Sequence, residues 1–387
     1  MKRPTTRPAD RIFQRELLKS LPEERSVIIT EGLPEIARAL RAQPFCPHPL
    51  FRTRHAQTLM GYAWPRRFRL RSLRADEARL FAVEPDVRLL VHCRWQERER
   101  REHPTLLLVH GLEGSSSSVY MLNAAAKAFR AGFNVLRLNI RTCGGTEHLT
   151  PTLYNSSLSQ DLRAVIDELI SRDRLKAIFL GGFSLGGNMS LKLAGEWGAD
   201  APEELRGVCA ISPSIELAAC ADAIERRANW LYNRRFISSL KRRLRHVQQL
   251  YPERYDLDGI ALIRTIRDFD ARYTARHGGF KDVDDYYTRA SSLPLIARVR
   301  VPTLIIHAQD DPFVPFDSFR HPSLTANPFV ILLAPEHGGH VGFIASDASD
   351  HEDRFWAENR MIEFCRLIQR KLMSAGVAFS AGGATGY

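Results

Sequence analysis

The chain has 387 residues, with 44% hydrophobic and 26% charged side chains, enough for one large core without covalent staples. No apolar run approaches the roughly 18 to 20 residues that cross a bilayer. The basic N-terminus MKRPTTRPADRIFQRELLKS also lacks the apolar stretch of a secretion signal, so a cytoplasmic protein is expected. A net charge of +11 suits an anionic partner such as a lipid headgroup surface, but it also suits a solvated arginine-rich surface, and no nucleic-acid motif is present.

In chain order, the first 45 residues are charged and weakly patterned, with one short helix predicted over Glu35 to Arg41. Two strands follow, near Ala78 to Val83 and Arg88 to Trp95, joined by a Glu84-Pro85-Asp86 turn. From Pro104 the text changes. TLLLVHGLEG is an unbroken apolar run closed by a Gly-rich turn, as expected of a strand buried on both faces of a parallel sheet. A helix (Tyr120 to Ala131), the strand NVLRLNIR, a helix (Leu158 to Arg172), the strand KAIFLGGFS, a helix (Leu185 to Trp197) and the strand GVCAIS complete a strand-helix alternation.

That rhythm breaks at Pro213, and the text to about Leu295 reads helical and irregular. PTLIIHAQDD and PFVILLAPEHGGH resume the strands, and DRFWAENRMIEFCRLIQRKL closes the chain as a helix. The expected organisation is an N-terminal extension (1–45), a first core segment (46–213), a helical lid insertion (214–295), a second core segment (296–373) and a disordered, small-residue tail (374–387).

Four loops carry chemistry. Gly182-Phe183-Ser184-Leu185-Gly186 joins a strand to a helix, where flanking glycines permit a strained bend that lifts the serine clear of the sheet. His110-Gly111-Leu112-Glu113-Gly114 ends an earlier strand, in the place from which such folds supply a backbone donor to a developing oxyanion. The two donors would be the N–H groups of Leu112 and Leu185. The acid follows the first strand after the insertion. Asp310 and Asp311 both stand there, and the spacing from Ala308 to Val314-Pro315 favours Asp311. The base follows the next strand, where His340, between Gly-Gly and Val-Gly-Phe, is preferred to His337. The order Ser184, Asp311, His340 is that of α/β-hydrolases, predicting a mostly parallel twisted sheet with helices on both faces and a helical lid.

The segments PFCPHPLFRTRHAQTL, VHGLEGSSSSVY, LNIRTCGGTEHLTPTLYNSS, GGFSLGGN, DFDARYTARHGGFKDVDDYYTRAS, VPTLIIHAQDDPFVP and HGGHVGF, spread from about Pro44 to Arg370, resemble the YheT-like branch of α/β-hydrolases. That group includes plant embryogenesis-associated proteins and animal membrane-anchored esterases and lipases. No stretch like the animal anchor is read in this sequence, so the chain is expected to be similar to the soluble bacterial members. The resemblance implies carboxylic ester hydrolysis by a serine esterase, with short- to medium-chain acyl or lipid esters as substrates, and carries the triad onto Ser184, Asp311 and His340.

Alternatives are a thioesterase, amidase or acyltransferase using the same triad, or a non-catalytic ligand-binding module. A dehalogenase would need Asp where Ser184 stands. The six cysteines form no CxxC pair, and no cofactor or metal is expected; Cys143 reads as structural rather than as a nucleophile.

Within the insertion, Trp230, Phe236, Ile237, Leu240, Leu244, Val247 and Tyr251 recur at helical spacing. Arg226, Arg227, Arg234, Arg235, Lys241, Arg242, Arg243 and Arg245 lie among them without an acidic residue. Such a basic amphipathic helix packs on the core with solvated charges, or docks peripherally on an anionic membrane. Tyr286 and Tyr287 are expected to pack, close to the lid side of the pocket.

Overall fold

The computed structural model describes residues 32–66, 76–97, 99–348 and 352–382, with side chains to residue 374 in the last helix. Among these residues eight strands form one sheet: β1 (Glu77–Glu84), β2 (Val87–Arg94), β3 (Thr105–Val109), β4 (Asn134–Leu138), β5 (Ile178–Phe183), β6 (Leu205–Ile211), β7 (Thr303–Ile306) and β8 (Val330–Leu333). Their spatial order is β1-β2-β4-β3-β5-β6-β7-β8. β2 runs antiparallel to both neighbours, and every pair from β4 to β8 is parallel. The two kinds of strand follow from their sequences. β2 alternates buried with partly exposed positions, whereas TLLLV of β3 and TLII of β7 are buried throughout.

Among the described residues nine longer helices surround the sheet: α1 (Leu33–Arg41), α2 (Arg54–Ala63), α3 (Val119–Arg130), α4 (Ser159–Ser171), α5 (Leu185–Trp197), α6 (Leu217–Glu225), α7 (Trp230–Leu250), α8 (Val283–Ala290) and α9 (Trp356–Gly382). Successive β3 residues face opposite layers. Leu106 and Leu108 pack with α1, α3 and α9, and Leu107 and Val109 pack with α4, α5 and α7. The chain between β6 and β7 forms helices and turns only, and α7 inserts Ile237, Leu240, Leu244 and Val247 into the second of these layers.

Several expectations need correction. The segment read as an N-terminal extension is part of the core over α1, where Leu33, Ile36, Ala37 and Leu40 are buried at helical spacing beside α9. Truncating Leu40 to Ala would therefore cost about 2 to 5 kcal/mol. Residues 1–31 lie outside the described residues. Over the expected tail, helix α9 is assigned as far as Gly382, through a stretch with no proline to stop it; residues 383–387 lie outside the described residues. In α7, Trp230 leaves the apolar stripe and is 54% exposed in the first turn, as is its neighbour Leu231 at 62%. Arg243 leaves the solvated set, with 11% of its side chain exposed and a carboxylate partner.

Of the six cysteines, Cys46 is exposed and the other five are buried and unpaired. Burial pushes the thiols of Cys93 and Cys143 up to about 12, so neither is a nucleophile at neutral pH.

Candidate active site

β3 and β5 are neighbours in the sheet, with Val109 opposite Gly182, so the loops leaving their carboxyl ends meet. Ser184 occupies the bend between β5 and α5 with φ 52° and ψ −117°, a left-handed conformation unusual for a side chain and worth about 1 to 3 kcal/mol of strain. Its N–H donates to the Ile211 carbonyl at 2.9 Å and its carbonyl accepts from the Asn188 N–H at 3.0 Å, so both flanks hold the bend. The two glycines are needed for close approach. A Cβ at Gly182 would lie 2.3 Å from the Gly186 carbonyl oxygen, and one at Gly186 would lie 2.5 Å from the carbonyl oxygens of both Val109 and His110.

The other side chains converge on this serine. His340 Nε2 is 2.9 Å from Ser184 Oγ, and His340 Nδ1 is 2.8 Å from Asp311 Oδ2. Asp311 is fully enclosed at its carboxylate, and its Oδ1 accepts from the N–H groups of Phe313 at 2.8 Å and Val314 at 3.0 Å. Burial alone would raise this carboxyl. The charge and hydrogen bond of His340, the nearby His307 and the Phe313 N–H together outweigh burial and hold it below the ordinary aspartate range.

Asp310 and His337 form a separate, outer pair at 3.4 Å, where Asp310 also accepts from the Gly339 N–H at 2.9 Å. The structure thus brings Ser184, Asp311 and His340 into one hydrogen-bonded row and leaves Asp310 and His337 outside it.

The glycine loop after β3 lies against the bend, since a Cβ at Gly111 would be 3.0 Å from Ser184 Cβ. His110 organises that loop from beneath. Its Nδ1 is 2.8 Å from the Gly111 carbonyl and its Nε2 accepts from the Ile140 N–H at 3.1 Å. Full burial lowers its pKa to about 4 and keeps it neutral. The backbone N–H groups of Leu112 and Leu185 donate to no acceptor among the described residues, and both residues line the adjoining cavity.

This cavity of about 100 Å³ has Ser184 and His340 in its wall and is otherwise largely apolar, with Leu153, Leu217, Ile224, Phe236, Leu240 and Phe313 lining it. Its polar exceptions include Asp270, Tyr286 and Tyr287. Asp270 accepts from Thr274 at 2.6 Å and Tyr287 at 3.0 Å, and burial raises its carboxyl to about 6 against those two hydrogen bonds. Tyr286 and Tyr287 are buried, so they pack as expected and also face the cavity.

Helix α2 braces the histidine loop in a way that sequence reasoning missed. Thr58 Oγ1 accepts from the His340 N–H at 2.9 Å, and the buried Gln57 clasps Ile344 through both its N–H and its carbonyl (3.1 and 2.7 Å). The quoted segment RTRHAQTL contains both residues, but nothing in its spacing points 282 residues ahead. Among the described residues, no group of three or more His, Cys, Asp or Glu could hold a metal ion, and no helix is long and apolar enough to cross a membrane.

Residues 104–347 match the family described as alpha/beta hydrolase fold. The chain is 32% identical over 275 residues to the putative esterase YheT of Escherichia coli, covering 70% of this chain and 79% of that protein. It is 32% identical over 242 residues to the mouse phospholipase ABHD3, covering 62% of this chain but only 58% of that protein, so it spans less than two thirds of that relative's length. Among solved structures it is similar in fold to the Pyrococcus furiosus esterase Pf2001, with a TM-score of 0.50 at 16% identity over 78% of this chain and 96% of that one.

Proposed function

Because this chain belongs to the α/β-hydrolase fold family, we propose that it is a serine hydrolase that cleaves carboxylic esters through an acyl-enzyme on Ser184. The observation that carries the reading is the row Ser184–His340–Asp311, with contacts of 2.9 and 2.8 Å, set in the wall of an apolar cavity. A free hydroxyl is a weak nucleophile. His340 Nε2 is placed to take its proton as Oγ attacks the ester carbon, and the buried Asp311 carboxylate holds the Nδ1–H tautomer and stabilises the imidazolium. The carbonyl oxygen becomes an oxyanion, and the N–H groups of Leu112 and Leu185, which have no acceptor among the described residues, are its donors. As the C–O bond breaks, the imidazolium returns its proton to the leaving alcohol. Water then repeats the sequence on the acyl-enzyme and frees the acid.

The cavity's apolar lining selects an acyl chain, and its modest volume favours short to medium chains while the helices between β6 and β7 stay seated as a lid. Lipid esters fit the same lining. Trp230 and Leu231 are exposed beside the exposed Arg226, Arg227, Arg234 and Arg235, and Arg235 lies over the exposed Tyr62 of α2 at 5.4 Å. An exposed aromatic and aliphatic pair flanked in the chain by exposed arginines suits peripheral contact with an anionic membrane. Co-sedimentation with phosphatidylserine vesicles should weaken with salt and with the double substitution W230S/L231S; equal recovery in all cases would remove this part of the proposal.

The primary test is hydrolysis of p-nitrophenyl esters from acetate to palmitate, with fluorophosphonate labelling, by wild type and Ser184→Ala. Turnover and labelling are both expected, and both should vanish in the variant. A folded variant that keeps wild-type turnover would sink the mechanism.

A further inference from the structure

Glu113 directly follows Leu112 and has φ 55°, a conformation that a glutamate does not choose unaided. Its carboxylate is 5% exposed and has more partners than a loop residue needs. The Tyr154 hydroxyl donates to Oε1 at 2.9 Å and accepts from the Glu113 N–H at 3.3 Å, bracing side chain and backbone together. The remaining donors come from the insertion. Ser239 Oγ reaches Oε2 at 2.5 Å, and one helical turn on, Arg243 reaches Oε1 with Nε at 2.8 Å and Oε2 with Nη2 at 3.3 Å. Arg243 Nη1 lies 3.5 Å from Glu147 Oε1, so this guanidinium is fixed on two sides.

A buried ion pair adds little net stability over an apolar pair of similar size, because both charges must be stripped of water. What it supplies is position. A two-pronged grip sets the orientation of the carboxylate and, through the Glu113 Cα, the peptide plane between Leu112 and Glu113. The Leu112 N–H lies in the preceding plane, whose Gly111 carbonyl accepts from His110 Nδ1 at 2.8 Å and the Gly114 N–H at 3.0 Å, so the grip acts on that donor from the far side of the Leu112 Cα. We propose that Arg243 and Ser239 are positioning residues: by gripping Glu113 they hold the Leu112 N–H where the oxyanion forms, so the hole is complete only while α7 is seated on the loop. This rests on the reading of Ser184 as nucleophile and of Leu112 as an oxyanion donor. Because α7 also supplies Phe236 and Leu240 to the cavity wall, an acyl chain that lifts the helix to gain room also loosens the donor. Closure is then the competent state rather than the blocked one.

The test uses the full chain with Arg243→Met, Arg243→Lys and Ser239→Ala, and the ester that wild type turns over fastest. Active sites are counted by end-point fluorophosphonate labelling, so that kcat is expressed per competent serine. Losing a transition-state contact lowers kcat and leaves KM nearly alone. Arg243→Met should lower kcat per site about 10- to 100-fold with KM within about threefold, somewhat less than deleting a donor outright. Arg243→Lys should recover part of the loss, and Ser239→Ala should lose about threefold or more. Affinity for a trifluoromethyl ketone, which adds to the serine as a tetrahedral adduct, should fall in step with kcat/KM.

A merely structural role would instead reduce the count of competent sites and the melting temperature, with kcat per site unchanged. If Arg243→Met does not fold, Ser239→Ala, which strands no charge, decides alone. A kcat per site within twofold of wild type, with unchanged ketone affinity, overturns the inference. Ser184→Ala separates the two levels: if it is inactive while the Arg243 and Ser239 variants are normal, only the positioning role fails.

Discussion

Replacing each of the two adjacent aspartates by asparagine should have opposite consequences for catalysis. In Asp311→Asn the amide oxygen can still accept the Phe313 and Val314 N–H groups, at the present 2.8 and 3.0 Å, which leaves the NH2 group facing His340 Nδ1. Nδ1 must then accept, the proton moves to Nε2, and Nε2 can no longer take the Ser184 proton. A wrong tautomer in such a triad costs about 10⁴ in kcat, or about 5.5 kcal/mol of barrier. In Asp310→Asn the amide oxygen still accepts from Gly339 N–H and loses only a 3.4 Å contact with an exposed histidine, so kcat should change less than about threefold.

Stability adds a second readout. The Asp311 carboxyl is held below its unfolded value, so its contribution is present at neutral pH and lost as pH falls through the acid range, below about pH 4. Wild type should therefore lose stability on acidification more steeply than Asp311→Asn. Steady-state kinetics on p-nitrophenyl butyrate, with melting curves from pH 3 to 8, would check both. Equal kcat losses in the two variants, or a larger loss in Asp310→Asn, would refute the reasoning.

Gly186→Ala should be destabilising by about 3 kcal/mol or more, because the new methyl would stand 2.5 Å from two backbone carbonyl oxygens rather than from a side chain that can swing away. Urea titration reads this directly, and a midpoint equal to wild type would count against the backbone packing described. For Asp270, burial raises the carboxyl to about 6, so folding becomes less favourable as pH climbs from the unfolded aspartate value through 6. Asp270→Asn should therefore gain up to about 3 kcal/mol over wild type at pH 8 and nothing at pH 4, measured by melting temperature. The same difference at both pH values would exclude Asp270 as its source.

The parts of this molecule legible in its sequence are those governed by local pattern. β3 and β5 announce themselves as buried strands because each is an apolar run ending at a glycine turn, and the bend at Ser184 is dictated by glycines two residues to either side. The loops bearing Asp311 and His340 follow from the order of strands around them. What the text conceals is pairing across long separations. Arg243 meets Glu113 across 130 positions, and in sequence it is one of eight interchangeable cations. Gln57 and Thr58 sit in a weakly patterned stretch whose purpose appears only when α2 packs on the histidine loop. Trp230 misleads in the opposite direction: its spacing matches the buried stripe, yet it lies in the first turn of α7 with half its surface in water.

The distribution of thiols offers a chemical handle. Five cysteines are sealed in the interior, and Cys46 alone is open to solvent. Its carbonyl accepts the Ser346 N–H at 2.8 Å, and the next residue, Pro47, bridges Ala345, on the segment that follows His340. Brief treatment of the native protein with a maleimide should add a single label by mass, with no cysteine needing replacement. A fluorophore attached there would be anchored to the histidine loop's own tether, and its anisotropy during turnover would record how firmly that loop is held while the acyl group comes and goes.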